Sequence, residues 1–300
     1  MRAYLYISYN CNCNCFFCAS DETNRLSENN EVSLEDAKRF ILSSPNKQKL
    51  DISGGEPTIH KDFLEIVRFA KQNFEYVTVM TNGIRFADID FLKAAIDAGI
   101  DRISIPFYSA YKNEHNYMVG NPTAFTKLIQ GLSNINSLLP EIKVDVQIKL
   151  LLAKFTYKQI PNSIEYIAEN FPNIRLVSLY GFHISNKALH NKDLCIINYN
   201  ESRLFNDISI KKLIDNNYDF HVCEIPLCAF SLKTIEHLLM YKRIAYIDET
   251  FLKRPNITPQ HVSSNTLYPE ECQVCKLSHL CPKIYGKNAS LFNHGIKPIV

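Results

Sequence analysis

Apolar residues in the first two-thirds of this chain follow two alternating rhythms. Short strand-like runs occur at Ala3–Ser8, Lys49–Ser53, Tyr76–Met80, Arg102–Pro106, Val144–Leu151 and Ile174–Leu179. Between them, apolar residues return every three or four positions. Ala37, Phe40 and Ile41 follow Ser33, a predicted helix N-cap with Asp36 three residues on. Phe63, Ile66, Val67 and Ala70 mark a helix over Asp62–Asn73. Further helices are predicted over Asp88–Ala98, with Gly99 as C-cap, and over Ala124–Leu139 and Lys158–Asn170. Strands separated by helices predict an α/β fold with parallel pairing and right-handed crossovers. In such barrels the ligand site lies at the C-terminal ends of the strands. After about residue 182 the rhythm weakens, which divides the chain into a core over 1–182 and a C-terminal region over 183–300.

The candidate chemistry sits just after the predicted strands. Cys11, Cys15 and Cys18 have the spacing C-x3-C-x2-C directly after the first. Three thiolates on one loop can hold three irons of a [4Fe–4S] cube and leave the fourth open to a small molecule. A closed set of four ligands would instead suit a structural zinc, and a zinc knuckle is the plain alternative for these cysteines. Cys13 falls outside the spacing and reads as a bystander thiol. The second strand ends in Gly54-Gly55-Glu56-Pro57. Paired glycines let backbone approach a ligand without a Cβ clash, and Pro57 fixes the exit of the turn. The third strand ends in Thr81-Asn82-Gly83.

Taken together, these motifs resemble those of the radical S-adenosylmethionine (radical SAM) enzymes, whose signature C-x3-C-x-aromatic-C is matched with Phe17 at the aromatic position. The resemblance implies a partial (β/α)6 TIM barrel. It implies that Cys11, Cys15 and Cys18 bind the [4Fe–4S] cluster, that SAM chelates its open iron, and that reductive cleavage yields a 5'-deoxyadenosyl radical. Phe17 would then lie near the adenine, Gly54, Gly55, Glu56 and Pro57 at the methionyl ammonium, and Asn82 near the ribose. Ser104 and Gln147, on the fourth and fifth strands, are further candidates for SAM contacts. The family commonly has an acidic residue two positions after Ser104, where this chain has Pro106. His115 matches a family histidine and is expected to order a loop rather than to carry acid–base chemistry.

A second cysteine group lies near the C-terminus: Cys228, then Cys272-x2-Cys275-x5-Cys281. Four thiolates suit either an auxiliary [4Fe–4S] cluster or a structural zinc. The spacing resembles the twitch and SPASM auxiliary-cluster regions. Cys223 is an alternative to Cys228, His279 reads as a loop residue, and Cys195 as a small core residue. More loosely, Ile105–Ser109, His115, Val119-Gly120, Ala124-Phe125 and the C-terminal cysteines are similar to the peptide maturases of His-Xaa-Ser systems. That likeness implies a ribosomally made precursor peptide as substrate and an electron donor such as flavodoxin or ferredoxin. A small metabolite or nucleoside is the rival substrate, and a non-enzymatic zinc or iron–sulfur protein the rival class.

Composition narrows the setting. At 300 residues and 46% apolar content the chain can bury a large core. A net charge of +2, with no basic run, gives no reason to expect a nucleic-acid partner. The opening residues carry no basic stretch followed by an apolar one, and no run approaches the roughly 18 residues of a membrane span. With ten cysteines, these features predict a cytoplasmic protein with metal or redox chemistry.

Overall fold

A computed structural model describes residues 2–20, 25–182, 184–245, 250–255, 257–262, 266–267, 270–282, 284–285 and 298–299. The first strand, β1 (Arg2–Tyr6), is followed by α1 (Leu34–Ser43), β2 (Lys49–Ser53), α2 (Phe63–Asn73), β3 (Tyr76–Met80) and α3 (Ile89–Asp97). Then come β4 (Arg102–Pro106), α4 (Lys112–Val119), α5 (Ala124–Leu138), β5 (Asp145–Leu152), α6 (Ile160–Asn170) and β6 (Leu176–Gly181). These six strands pair in chain order and in parallel, as βαβ units must when every crossover has the same hand. Local signals set the helix boundaries. The Ser33 hydroxyl accepts from the Asp36 N–H at 3.1 Å, and Asp88 caps α3 through the N–H groups of Asp90 and Phe91. Gly99, at φ +104°, closes that helix.

The sheet does not stop at the six predicted units. The chain continues through α7 (Lys187–His190), α8 (Lys192–Cys195), α9 (Tyr199–Asp215), β7 (Asp219–Cys223), α10 (Leu232–Met240) and β8 (Ile244–Ala245). Both new strands extend the parallel run beyond β6. β9 (Thr250–Arg254) then crosses to the opposite edge and pairs in parallel with β1, and β10 (Ile257–Val262) returns antiparallel to it. The result is an open partial barrel with nine parallel strands. A second correction concerns His115, which lies on helix α4 rather than in a loop. His115, Met118 and Val119 form the buried face of that helix, so a histidine stands where an apolar residue would have announced it.

Alternation along the strands separates two environments. Leu5, Ile52, Val79, Ile105, Ile148 and Leu179 pack against the helices with no exposed surface. The opposite face is polar, with Arg2, Tyr4, Asp51, Thr78, Ser104, Gln147 and Lys149 directed into the hollow of the barrel. Among the described residues no helix is long and apolar enough to cross a membrane.

Candidate active site

The loop after β1 carries Cys11, Cys15 and Cys18, each half-buried, with Cys13 buried between them. Its backbone is fastened from several directions. The N–H groups of Asn14 and Phe16 donate to the carbonyls of Val119 and Met118 at the end of α4 (2.8 and 3.3 Å). Gly120 ends that helix at φ +59°, and a Cβ there would stand 2.5 Å from the Asn14 carbonyl, so only glycine permits this approach. Asn121 Nδ2 donates to the Asn12 carbonyl at 2.8 Å, Asn191 Nδ2 to the Phe16 carbonyl at 2.9 Å, and Arg25 reaches the carbonyls of Cys11 and Cys13 at 3.4 Å.

Backbone N–H groups also point at two of the sulfurs. Cys13 donates to Cys11 Sγ and Ser20 to Cys18 Sγ, each at 3.4 Å. The Cys13 thiol bonds to Cys11 and holds the Cys11 thiol below its ordinary pKa, while the same bond pushes Cys13 well up. Burial pushes Cys15 up to about 12. Three thiols on one braced loop, with N–H donors to two of the sulfurs, suit an iron–sulfur cube. Among the described residues no three His, Cys, Asp or Glu side chains converge as they would on a single metal ion. A cube presents its irons at separate corners and does not ask that of its ligands.

The Gly-Gly turn is fitted to this loop. Gly55 N donates to the Ser8 carbonyl at 2.6 Å and Glu56 N to the Asn10 carbonyl at 2.8 Å, which continues the β1–β2 pairing past the strand ends. A Cβ on Gly54 would lie 2.7 Å from the Ser8 carbonyl oxygen, and one on Gly55 2.3 Å from that of Asn10. The space the glycines free is therefore taken by the protein's own backbone. Pro57 opens a short 3-10 turn behind them.

Glu56 is 1% exposed, and its carboxylate gathers four donors. Oε1 accepts from Thr58 N (3.0 Å), Thr58 Oγ1 (2.6 Å) and Thr81 Oγ1 (2.6 Å), and Oε2 accepts from Asn82 N (2.7 Å). Burial pushes its pKa up, against the downward pull of these donors. Asn82 in turn donates from Nδ2 to Asn12 Oδ1 at 2.6 Å. Glu56 and Asn82 thus tie the ends of β2 and β3 to the cysteine loop.

Other predicted contacts sit deeper. Ser104 Oγ donates to Gln147 Oε1 (3.0 Å) and Gln147 Nε2 to Ser178 Oγ (2.6 Å), a polar row across β4, β5 and β6. Phe17 stacks on Phe155 with centroids 4.7 Å apart and meets Tyr108 edge-on at 4.9 Å. His115 lies among Phe107, Tyr108 and Phe125, and its Nδ1 is buried without a hydrogen-bond partner. Burial lowers its pKa to about 4, so it stays neutral at ordinary pH.

Of the second cysteine group, Cys228 and Cys281 lie on either side of one backbone contact. Leu227 N donates to Cys281 Sγ at 3.4 Å, beside Cys228. Burial first, and then Cys228 and Cys281, push the Tyr199 hydroxyl up, which places both sulfurs near that ring. Burial, with the neighbouring Cys281 and Cys275, raises Cys272 to about 11. Cys223 is separate: it ends β7 within the barrel beside Tyr180. Cys195 is wholly buried and His279 is exposed. Sequence reasoning missed the asparagines and Arg25 that brace the loop. No motif marks them, because each acts through a contact distant in sequence.

Comparison with known proteins places this geometry. A probable GTP 3',8-cyclase of Thermococcus kodakarensis is 26% identical over 175 residues, 58% of this chain and 55% of that protein. Another, from Saccharolobus solfataricus, is 30% identical over 218 residues, 69% of this chain and 65% of that protein. The chain thus spans less than two-thirds of the length of these relatives. Among solved structures, Streptococcus suis SuiB bound to its precursor peptide SuiA has the same fold, with a TM-score of 0.61 at 17% identity over 86% of this chain and 61% of that one. Residues 5–183 match the radical SAM superfamily, so with the cysteine loop, the Gly-Gly-Glu-Pro turn and the partial barrel in place, this chain belongs to the radical SAM superfamily.

Proposed function

We propose that the chain cleaves SAM at the strand ends and modifies a ribosomally synthesised peptide held in the barrel. When bound, the [4Fe–4S] cluster and SAM supply a 5'-deoxyadenosyl radical that takes a hydrogen atom from the substrate. Cys11, Cys15 and Cys18 would hold the cluster, on a loop that Arg25, Asn121 and Asn191 keep in shape. Phe17, the Gly54–Pro57 turn, Asn82, Ser104 and Gln147 are assigned to SAM. Three of the donors to Glu56 converge on Oε1 and one reaches Oε2, so the second acceptor position of Oε2 is the place on this carboxylate for an arriving ammonium. Phe17, Tyr108 and Phe155 form an apolar wall against water.

The observation that carries the peptide reading is that SuiB, solved with its precursor peptide SuiA, shares this fold over 86% of the chain, past the superfamily match at 5–183. In this reading Cys228, Cys272, Cys275 and Cys281 hold an auxiliary [4Fe–4S] cluster, with zinc as the alternative, and a cytoplasmic flavodoxin or ferredoxin delivers the electron. The rival substrate is a nucleotide or other small metabolite, which the relatives named GTP 3',8-cyclase favour. Anaerobic reconstitution, reduction with dithionite and assay for 5'-deoxyadenosine test the first step, with and without short peptides encoded beside the gene. Cys15→Ala should abolish cleavage. Cys272→Ala should spare cleavage and lose product. Modification of GTP but of none of the peptides would decide for the rival, and two zincs without sulfide would overturn both.

A further inference from the structure

Lys149 lies at the middle of β5 on the face turned into the barrel. Protein surrounds it, yet its surface remains partly accessible, as for a side chain that faces an internal hollow. Its Nζ lies 3.7 Å from the Met80 thioether and 4.9 Å from the centre of the Tyr180 ring. Among the described residues no carboxylate lies within 4.0 Å of it. The carboxylates on the inner face are engaged by other cations: Asp51 with Arg2 at 3.1 Å and Lys49 at 3.9 Å, and Asp145 with Arg102 at 2.9 Å. An enclosed cation with only a thioether and a ring beside it is costly to a fold, and its presence calls for a compensating charge. Asp51, whose charge acts on Lys149, has a buried Oδ1 with no hydrogen-bond partner among the described residues.

We propose that Lys149 anchors a carboxylate of the substrate inside the barrel, with Met80 and Tyr180 as the walls of the subsite. The proposal rests on the reading above that the barrel is the substrate chamber. One compact ammonium matches one carboxylate, and the Arg2 guanidinium that also acts on it is held by Asp51. A triphosphate would ask for several cations, and here the arginines are already paired. The neighbours of Lys149 are strand residues (Asp51, Met80, Tyr180), and Gln147 precedes it by two positions on the same face of β5, so the subsite adjoins the deeper contacts assigned to SAM. Burial lowers the Lys149 pKa to about 8, against the raising influence of Asp51, and the residue still carries its charge at neutral pH.

Trace acetylation of the anaerobic holoenzyme with acetic anhydride, read lysine by lysine by mass spectrometry, tests this without turnover. The probes are glutarate, inorganic phosphate and SAM, each against chloride at equal ionic strength, with the surface lysines as internal reference. Glutarate at about ten times its dissociation constant should slow labelling of Lys149 about tenfold, and phosphate should leave it nearly unchanged. Lys149→Met should lose glutarate binding measured by titration calorimetry, and its thermal midpoint should rise because an uncompensated charge is gone. Equal labelling of Lys149 in every solution, or no labelling in any, overturns the proposal. Protection by phosphate alone overturns the carboxylate, and protection by SAM alone, or loss of SAM affinity in Lys149→Met, assigns the ammonium to SAM. Failure of the parent enzyme to cleave SAM would instead strike the functional reading, since labelling does not depend on it.

Discussion

Replacing Glu56 by Gln isolates one hydrogen bond of the latch at the site. The amide oxygen can stay at the Oε1 position and keep the contacts to Thr58 and Thr81. Its NH2 group then faces the Asn82 N–H, which now donates at 2.7 Å to a carboxylate oxygen, and two donors cannot bond. The opposite rotamer keeps the Asn82 bond and lets the NH2 group donate to the two threonine hydroxyls, but it faces the Thr58 N–H, so one backbone N–H is orphaned either way. A hydrogen bond to a charged group is worth about 1.5–3 kcal/mol, and the orphaned N–H keeps the loss toward the upper half, about 2–3 kcal/mol. At about 1.4 kcal/mol per factor of ten, the orphaned amide, Asn82 or Thr58, should exchange with solvent about 30- to 150-fold faster if local opening is the route. Hydrogen exchange with residue-level fragmentation reads this directly, with amides of the β5–β6 pairing as internal reference. Unchanged exchange at both Asn82 and Thr58 in a folded Glu56→Gln variant would refute the latch.

The remaining predictions address the same neighbourhood. His115 has a folded pKa of about 4 against an ordinary 6.5, so between these values the unfolded chain binds the proton and the folded chain does not. Stability is therefore intact above pH 6.5 and falls as pH drops toward 4, by about 3 kcal/mol in all and about 2 kcal/mol by pH 5. His115→Phe should remove that slope from the thermal midpoints measured between pH 7 and 5, and parallel curves for parent and variant would exclude this source. Gly55→Ala brings a Cβ to 2.3 Å from the Asn10 carbonyl oxygen and 2.6 Å from that of Tyr9. Both are backbone, so the turn must separate from the cysteine loop at about 2–4 kcal/mol, and iron retained after anaerobic purification should fall. Cys13→Ser keeps a hydroxyl donor beside Cys11 and should retain full iron content, whereas a loss like that of Cys15→Ala would make Cys13 a ligand.

Much of this fold is legible because local rules and packing agree in the first six units. Lys49–Ser53, Tyr76–Met80 and Arg102–Pro106 coincide with the observed strands, each ending where a turn motif begins. The later strands are hidden for a physical reason. Helix α9 buries Ser202, Asn206 and Ser209 along with Ile210 and Leu213, so its inner face lacks the apolar stripe that marks a helix in sequence. Asn206 Nδ2 donates to Ser202 Oγ and to the Ala229 carbonyl instead. The candidate site divides in the same way. The ligand-like residues stand out by spacing, since each lies beside its partners in the chain. Asn121, Asn191 and Tyr108 do not, because only the folded barrel brings them to the loop. Lys149 could be recognised only from the neighbours it lacks, which no linear reading supplies.

The edge strand β9 also bears on how the protein is made. Arg2–Leu5 lie in register with Thr250–Lys253, almost the full length of the chain apart. A ribosome must therefore emit more than four-fifths of the polypeptide before β1 can gain its second neighbour. During that interval the β1 edge remains open for pairing with another molecule. Delivery of metal to a nascent chain would meet the cysteine loop beside that unfinished margin, and truncation before residue 250 would make the condition permanent.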